Sequence, residues 1–85
     1  MDEDVERGHA AVSLALIYLE LDRAADAVPH LLSACSLFAK CTHARAKAFL
    51  ASAHANLGIA REKLDDLPGA VASFQTVWFS LVGLT

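Results

Sequence analysis

The chain has 85 residues, a formal net charge of −3 and an apolar fraction of 55%. A chain of this length forms one small domain, which we take as residues 1–85. Its seven lysine and arginine residues are scattered, so no basic stripe indicates a nucleic-acid partner. Much of the apolar excess is alanine, which favours helix, and no segment alternates as a strand does. We therefore predict an all-α domain.

The first helix is predicted from about Asp4 to Leu21, where apolar residues recur at intervals of three and four. The apolar pattern then breaks, and it resumes in a second helix that starts somewhere from Arg23 to Ala27. Pro29 suits this helix if Asp26 is its N-cap, because a first turn tolerates proline. An earlier start at Asp22 with a kink at the proline is the alternative.

Thr42 is predicted to cap a third helix that runs to about Lys63. Its predicted core positions are Ala46, Phe49, Leu50, Ala53, Leu57 and Leu64. In the segment that follows, Asp66 can cap a fourth helix and Pro68 falls in its first turn. The fourth helix is built on Val71, Phe74, Val77, Trp78 and Leu81. Short connections make successive helices antiparallel neighbours, which predicts two helical hairpins in tandem.

No residue pattern indicates catalysis or a cofactor. Cys35 and Cys41, followed by His43, lack the paired short spacings of a zinc site, so we expect free thiols, with Cys35 packed as a small apolar residue. The histidines at positions 9, 30, 43 and 54 never stand four residues apart. There is no nucleophile turn, glycine-rich phosphate loop or pair of carboxylates in an apolar setting. We predict no metal, no cofactor and no enzymatic activity.

The start of the chain is acidic, from Met1 to Glu6, and an apolar stretch comes too late for a secretory signal. We therefore predict a cytoplasmic protein. At the other end, no charged residue follows Asp66, and the segment 77–82 is too apolar all round for a free surface helix. A membrane span is disfavoured, because the run contains Pro68 and Gly69 and barely reaches the roughly 20 residues needed.

We expect the apolar end of the chain to be covered by protein. The predicted C-terminal interface is Val77, Trp78, Phe79, Leu81 and Val82. Three arrangements remain open: the chain is a fragment of a longer repeat array, it dimerises through Trp78 and Phe79, or it docks into a larger assembly.

The sequence contains an internal repeat with a spacing of 43 residues. Five small or apolar residues have small or apolar counterparts 43 positions later, at the same intervals along the chain. The residues are Leu14, Ala15, Ala27, Leu31 and Ala34, and their counterparts are Leu57, Gly58, Ala70, Phe74 and Val77. Self-similarity at such a period is typical of stacked helical units, each of which buries its apolar face on the next. Such arrays usually bind other proteins.

These residues resemble the tetratricopeptide repeat, a helix-turn-helix unit with small residues where its two helices cross. Leu57-Gly58 looks like the Leu-Gly pair of the family's first helix, Ala70 like the small residue of its second helix, and Phe74 like the large apolar partner. Tyr18 falls at the family's aromatic position in the first unit. The resemblance gives repeat units of about 8–41 and 51–84 and is closest to the longer repeats, about 40 residues, of scaffold proteins such as the G-protein-signalling modulators. A generic array of helical hairpins is the alternative.

The resemblance implies an adaptor or scaffold that binds a peptide or helix on a concave face formed by the first helix of each unit. Carried onto this sequence, the face consists of His9, Val12, Ser13, Leu16, Glu20, Ser52, Ala55, Asn56, Ile59, Glu62 and Lys63. Asn56 is the main candidate, because an amide both donates and accepts hydrogen bonds. Leu16 and Ile59 stand where some members hold a basic clamp, which disfavours binding of chaperone tails. The alternative function is a structural subunit held in a larger assembly through its last helix.

Overall fold

The computed structural model describes residues 3–42 and 45–82, which contain four helices and no strand. The helices are α1 (Glu3–Glu20), α2 (Ala24–Lys40), α3 (Ala46–Lys63) and α4 (Leu67–Val82). The all-α class and the four helices predicted from the sequence are thereby confirmed.

Each helix packs on the next one in the chain. α2 lies against both α1 and α3, and α4 lies against α3, whereas α1 touches α3 only briefly. Among the described residues, α4 touches neither α1 nor α2. The described chain measures 33 × 28 × 15 Å, a thin slab in which α1 and α4 are the outermost helices. Each of these two helices therefore has a side with no neighbouring helix.

The turn between α1 and α2 and the turn between α3 and α4 have the same geometry. The N–H of Arg23 donates to the carbonyl of Tyr18 at 2.8 Å, and 43 residues later the N–H of Asp66 donates to the carbonyl of Arg61 at 2.8 Å. α1 and α3 begin 43 residues apart, as do α2 and α4. The 43-residue repeat of the sequence is therefore also present in the positions of the helices and of these turns.

Both turns contain an aspartate in the left-handed region of backbone conformation. Asp22 has φ 60° and Asp65 has φ 61°. Most residues with a Cβ are strained there, but aspartate is among the few that adopt this conformation, because its short side chain hydrogen-bonds locally. Each aspartate lets the chain reverse direction within a turn of three residues.

The core is made largely of alanine. One cluster of buried residues comprises Ala15, Ala24, Ala27, Leu31, Leu57 and Ala60, and the other comprises Ala34, Cys35, Phe38 and Ala53. The first cluster joins α1, α2 and α3 and includes several residues of the 43-residue repeat. Small side chains at these positions let the helix axes approach closely, so α2 is covered on two sides by its neighbours.

Two predicted N-caps are wrong. Asp26 lies inside the first turn of α2, where it pairs with the Arg23 guanidinium at 2.8 Å, and Arg23 precedes the helix without a side-chain cap. The hydrogen bond from Arg23 to Tyr18 sets this start, which falls within the predicted range and leaves Pro29 inside the helix. Thr42 does not cap α3, because the helix begins only at Ala46.

The start of α4 agrees with the prediction. The Oδ1 atom of Asp66 accepts a hydrogen bond from the Gly69 N–H at 3.0 Å, and its carbonyl accepts one from the Ala70 N–H at 2.9 Å. Pro68 lies in the first turn of α4, where its missing N–H leaves no bond unmade. Leu64, in contrast, was predicted in the core and is 46% exposed, because it lies in the turn just after α3.

The two hairpins differ in how they would tolerate a methyl group at their helix crossings. A Cβ on Gly8 would come within 2.5 Å of the Phe38 ring, and one on Gly58 within 2.7 Å of the Phe74 ring. Phe38 is 2% exposed and cannot move aside, whereas Phe74 is 39% exposed and can. We expect Gly8→Ala to lower the free energy of unfolding by about 1 kcal/mol, since overpacking exceeds the helix-propensity gain.

Gly58→Ala is the matched control, and we expect it to be neutral or stabilising, because alanine gains up to about 1 kcal/mol over glycine inside a helix. Urea unfolding followed by circular dichroism measures both variants. Equal stability of the two variants would contradict the argument.

Removal of the cap on α4 gives a second prediction. Asp66→Ala leaves the Gly69 N–H without its partner, so we expect the free energy of unfolding to fall by about 1 kcal/mol. Asp66→Asn keeps an oxygen acceptor and should retain most of the stability. The same urea titration compares them, and an Asn variant as weak as the Ala variant would show that the cap is not the cause.

Candidate functional site

The predicted concave face is accessible along its whole described length. Leu16 and Ile59 are 41% and 39% exposed. The remaining exposed members are His9, Ser13, Glu20, Ser52, Glu62 and Lys63, and the half-buried ones are Val12, Ala55 and Asn56. None of these residues is buried, so any of them is open to at least partial contact with a ligand.

The repeat gives α1 and α3 equivalent positions on this face. Ser13 corresponds to Asn56 and Leu16 to Ile59, each pair being 43 residues apart. Each helix therefore carries a hydrogen-bonding side chain followed, three positions on, by an exposed aliphatic one. Such a pattern suits a peptide or helix that has both apolar side chains and accessible polar groups.

Two residues of the predicted face also serve the fold. The His9 ring lies edge-on to Phe49, with centroids 4.4 Å apart, and to Phe38 at 5.3 Å, so it joins α1, α2 and α3. Val12 packs against both core clusters. Their substitution would disturb packing as well as binding, which makes Leu16 and Ile59 the better positions for testing this face.

The predicted C-terminal interface is also largely exposed. Trp78 is 55% exposed, while Phe79 and Val82 are each 45% exposed and Val77 is half-buried. The Trp78 and Phe79 rings meet edge to face, with centroids 5.3 Å apart. The side chain of Leu81 lies outside the described part of the structure.

The apolar surface of α4 extends beyond the predicted interface. Leu67 is 59%, Val71 is 54% and Phe74 is 39% exposed, and the sequence of α4 contains no charged residue. Large apolar side chains exposed in a continuous stretch usually mark an interaction surface. We call the exposed residues Leu67, Val71, Phe74, Trp78, Phe79 and Val82 the α4 face.

A polar cluster that the sequence did not predict ties α3 to α4. Arg61 donates to the Ser73 hydroxyl at 3.1 Å and to the Gly69 carbonyl at 3.4 Å, and its Nε lies 3.9 Å from an oxygen of Asp66. Ser73 is only 3% exposed. The equivalents of Arg61 and Ser73, 43 positions earlier, are Tyr18 and His30, whose rings stack with centroids 5.6 Å apart. The second hairpin therefore has a hydrogen bond where the first has an aromatic contact.

An open cleft of about 190 Å³ lies beside this cluster. Its lining comes from α2, α3 and α4: Leu32, His54, Leu57, Arg61, Ala72, Ser73 and Thr76. Burial lowers the pKa of His54, and the nearby Arg61 guanidinium lowers it further, so both favour the neutral imidazole. The cleft contains none of the residues of the predicted concave face.

The two thiols lie in different surroundings, with Cys35 buried and Cys41 half-buried. Neither Cys35 nor Cys41 is part of a disulfide, and the Cys41 thiol donates a hydrogen bond to the Leu37 carbonyl at 3.2 Å. Burial raises the pKa of the Cys35 thiol, which disfavours the nucleophilic thiolate. No group of three His, Cys, Asp or Glu side chains lies close enough to hold a metal ion among the described residues. His43 lies outside them. None of the described helices combines the length and apolar character needed to cross a membrane.

The environment of His54 predicts a pH dependence. Its pKa is lower in the folded chain than the ordinary value of 6.5, so the unfolded chain binds the proton more tightly. The contribution of His54 to the free energy of unfolding is therefore greatest above pH 6.5 and decreases as the pH falls below that value.

In an NMR titration of the His54 imidazole, we expect Arg61→Gln to raise the His54 pKa part of the way towards its ordinary value, because burial remains. Arg23→Gln is the control and should leave it unchanged; equal effects would contradict the assignment.

Comparison with known protein families, with characterised proteins and with solved structures finds no match to this chain. The surfaces on which a function can rest are the predicted concave face on α1 and α3, the α4 face, and the Arg61 cluster between α3 and α4.

Proposed function

We propose that this chain is a non-enzymatic protein–protein interaction module of the tetratricopeptide type. In this proposal, two helical repeats of the long-period class present a concave face, formed by α1 and α3, to a peptide or helix of a partner. The equivalent turns at Asp22 and Asp65 support the repeat assignment, as does the close crossing of Gly58 and Phe74. Two cysteines that form no disulfide suit a reducing compartment, and we propose the cytoplasm.

The observation that carries this proposal is the exposure of Leu16 and Ile59. They occupy equivalent positions 43 residues apart and are 41% and 39% exposed, although each helix has a buried side available for aliphatic residues. Paired apolar residues at the repeat spacing offer two contact points for an extended or helical ligand. Asn56 lies three residues before Ile59 and supplies a donor and an acceptor for the ligand backbone.

Charged residues at the ends of α1 and α3 would frame this face. Glu20 and Lys63 are equivalent positions with opposite charge, and both are exposed. Charges at the rim of an interface contribute more to orientation and association rate than to affinity. The ligand we propose is therefore an amphipathic segment of a protein rather than a strongly acidic or basic one.

A second function is favoured by the α4 face. Trp78 and Phe74 are 55% and 39% exposed in a helix without any charged residue. Under this second proposal the chain is a structural subunit that is held in a larger helical assembly through α4. The two functions use different surfaces, so substitutions on one surface leave the other intact.

The concave-face proposal is tested by affinity capture from lysate with the wild-type chain, Leu16→Asp and Ile59→Asp. Each variant places a charge at an exposed position, so we expect the fold to persist and capture of a specific partner to fall at least roughly tenfold, because the charge would be desolvated on binding. Asn56→Ala should weaken capture less, by about 1 kcal/mol of lost hydrogen bonding.

Ser36→Asp is the matched control, because Ser36 is exposed on α2 and lies outside both proposed surfaces. Circular dichroism melting establishes that all variants are folded. A partner that is captured equally by Ser36→Asp, Leu16→Asp and Ile59→Asp would rule out this face as its binding site.

A further inference from the structure

The α4 face has a buried counterpart within the same chain. Phe74 and Trp78 correspond to Leu31 and Cys35 of α2, 43 residues earlier. Leu31 is 0% and Cys35 is 9% exposed, because α3 covers that side of α2, whereas the equivalent side of α4 has no second described helix packed on it. α4 therefore exposes the side that is equivalent to the buried, α3-facing side of α2.

The other half of the same interface is exposed on α1. In α3, the residues Ala53, Leu57 and Ala60 are 0–1% exposed and share core clusters with residues of α2. Their equivalents on α1, 43 positions earlier, are Ala10, Leu14 and Ile17. Leu14 is 39% and Ile17 is 53% exposed, and Ala10 is also exposed. One chain thus carries both complementary halves, on opposite outer helices.

We infer that copies of this chain associate head to tail, with Ala10, Leu14 and Ile17 on α1 of one copy covering the α4 face of the next. The contact repeats between chains the packing of α3 on α2 within the chain. This inference rests on the second function proposed above and names the partner as a second copy.

The side chains at the two halves fit this arrangement. Trp78 replaces Cys35, and Ala10 keeps a methyl group where α3 has Ala53, so the larger ring faces a small residue. Leu14 and Phe74 take the places of Leu57 and Leu31, which share a core cluster. Ile17 and Trp78 are larger than Ala60 and Cys35, so the two helices would lie further apart between chains than α2 and α3 lie within one chain.

The charge distribution also permits close contact. α4 holds no charged residue, and neither does the α1 segment 10–19. An interface between them buries no unpaired charge, which would otherwise oppose association. Because the two contact surfaces differ, the association is heterologous, and each added copy leaves a new α1 and a new α4 available. The expected product is a ladder of oligomers rather than a closed pair.

Trp78 provides a direct readout, because it is the only tryptophan of the chain. We expect the mass of the wild-type chain, measured by sedimentation, to rise with concentration above the 9.0 kDa monomer, and the Trp78 emission to shift to shorter wavelength in parallel. The shift reports the transfer of an indole that is 55% exposed into an apolar contact.

Two variants separate the halves of the interface. Ile17→Glu blocks the α1 surface and keeps Trp78, whereas Trp78→Glu blocks the α4 face and keeps α1. We expect each variant alone to stay monomeric. Their equimolar mixture should form a two-chain complex, in which the emission of the Ile17→Glu chain shifts because its Trp78 is covered by α1 of the other. Circular dichroism verifies that each variant is folded. Ala10→Glu is a second variant of the α1 surface, and Val71→Glu is a second variant of the α4 face.

Each contrary result has a definite meaning. If Ile17→Glu and Ala10→Glu still self-associate while Trp78→Glu does not, α4 packs on α4 of a second copy, which overturns the head-to-tail inference but preserves a subunit function. If the wild type remains at 9.0 kDa with an unshifted emission at every concentration, self-association through α4 is ruled out. The concave-face function is unaffected by either result, because it depends on Leu16 and Ile59.

Discussion

The structure depends on the close approach of helices at positions that carry no side chain or only a methyl group. Gly8 lies under the Phe38 ring and Gly58 under the Phe74 ring, at distances that exclude a Cβ without movement. Alanines fill most of the remaining core. Close crossings of this kind replace bulky core side chains with extensive contact between helix surfaces. Each hairpin is therefore thin, and a single helix is covered only when neighbours lie on both of its sides.

This geometry explains where apolar surface remains. α2 has a helix on each side, and its residues at positions 31, 34, 35 and 38 are buried. α1 and α4 lie at the two ends of the row and expose aliphatic and aromatic side chains that the same pattern would otherwise bury. Exposed apolar surface at the ends of a repeat array is normally covered by a polar capping helix or by a partner. The function in protein association that we propose rests on this packing.

The candidate surfaces could be predicted from the sequence to different extents. The apolar, uncharged character of α4 predicted an interface there, and Trp78 and Phe79 are exposed as that interpretation requires. The turns at Asp22 and Asp65 are 43 residues apart, which is the spacing of the sequence repeat. The contribution of Leu67, Val71 and Phe74 was missed, because a helical pattern alone does not reveal which apolar side has no neighbour. The ring of His9 between two phenylalanines was missed because it depends on contacts between three helices.

By itself, the sequence determined the class of the fold, the number of helices and the turn at Asp66, because helix propensity, capping and turn chemistry act over a few neighbouring residues. Tertiary structure decided the start of α2, where a backbone bond to Tyr18 prevails over a possible cap at Asp26. It also decided the role of Arg61, which reaches Ser73 on the following helix. Contacts of this kind depend on the angle and distance between helices, and those are set by packing of the whole chain rather than by any local pattern.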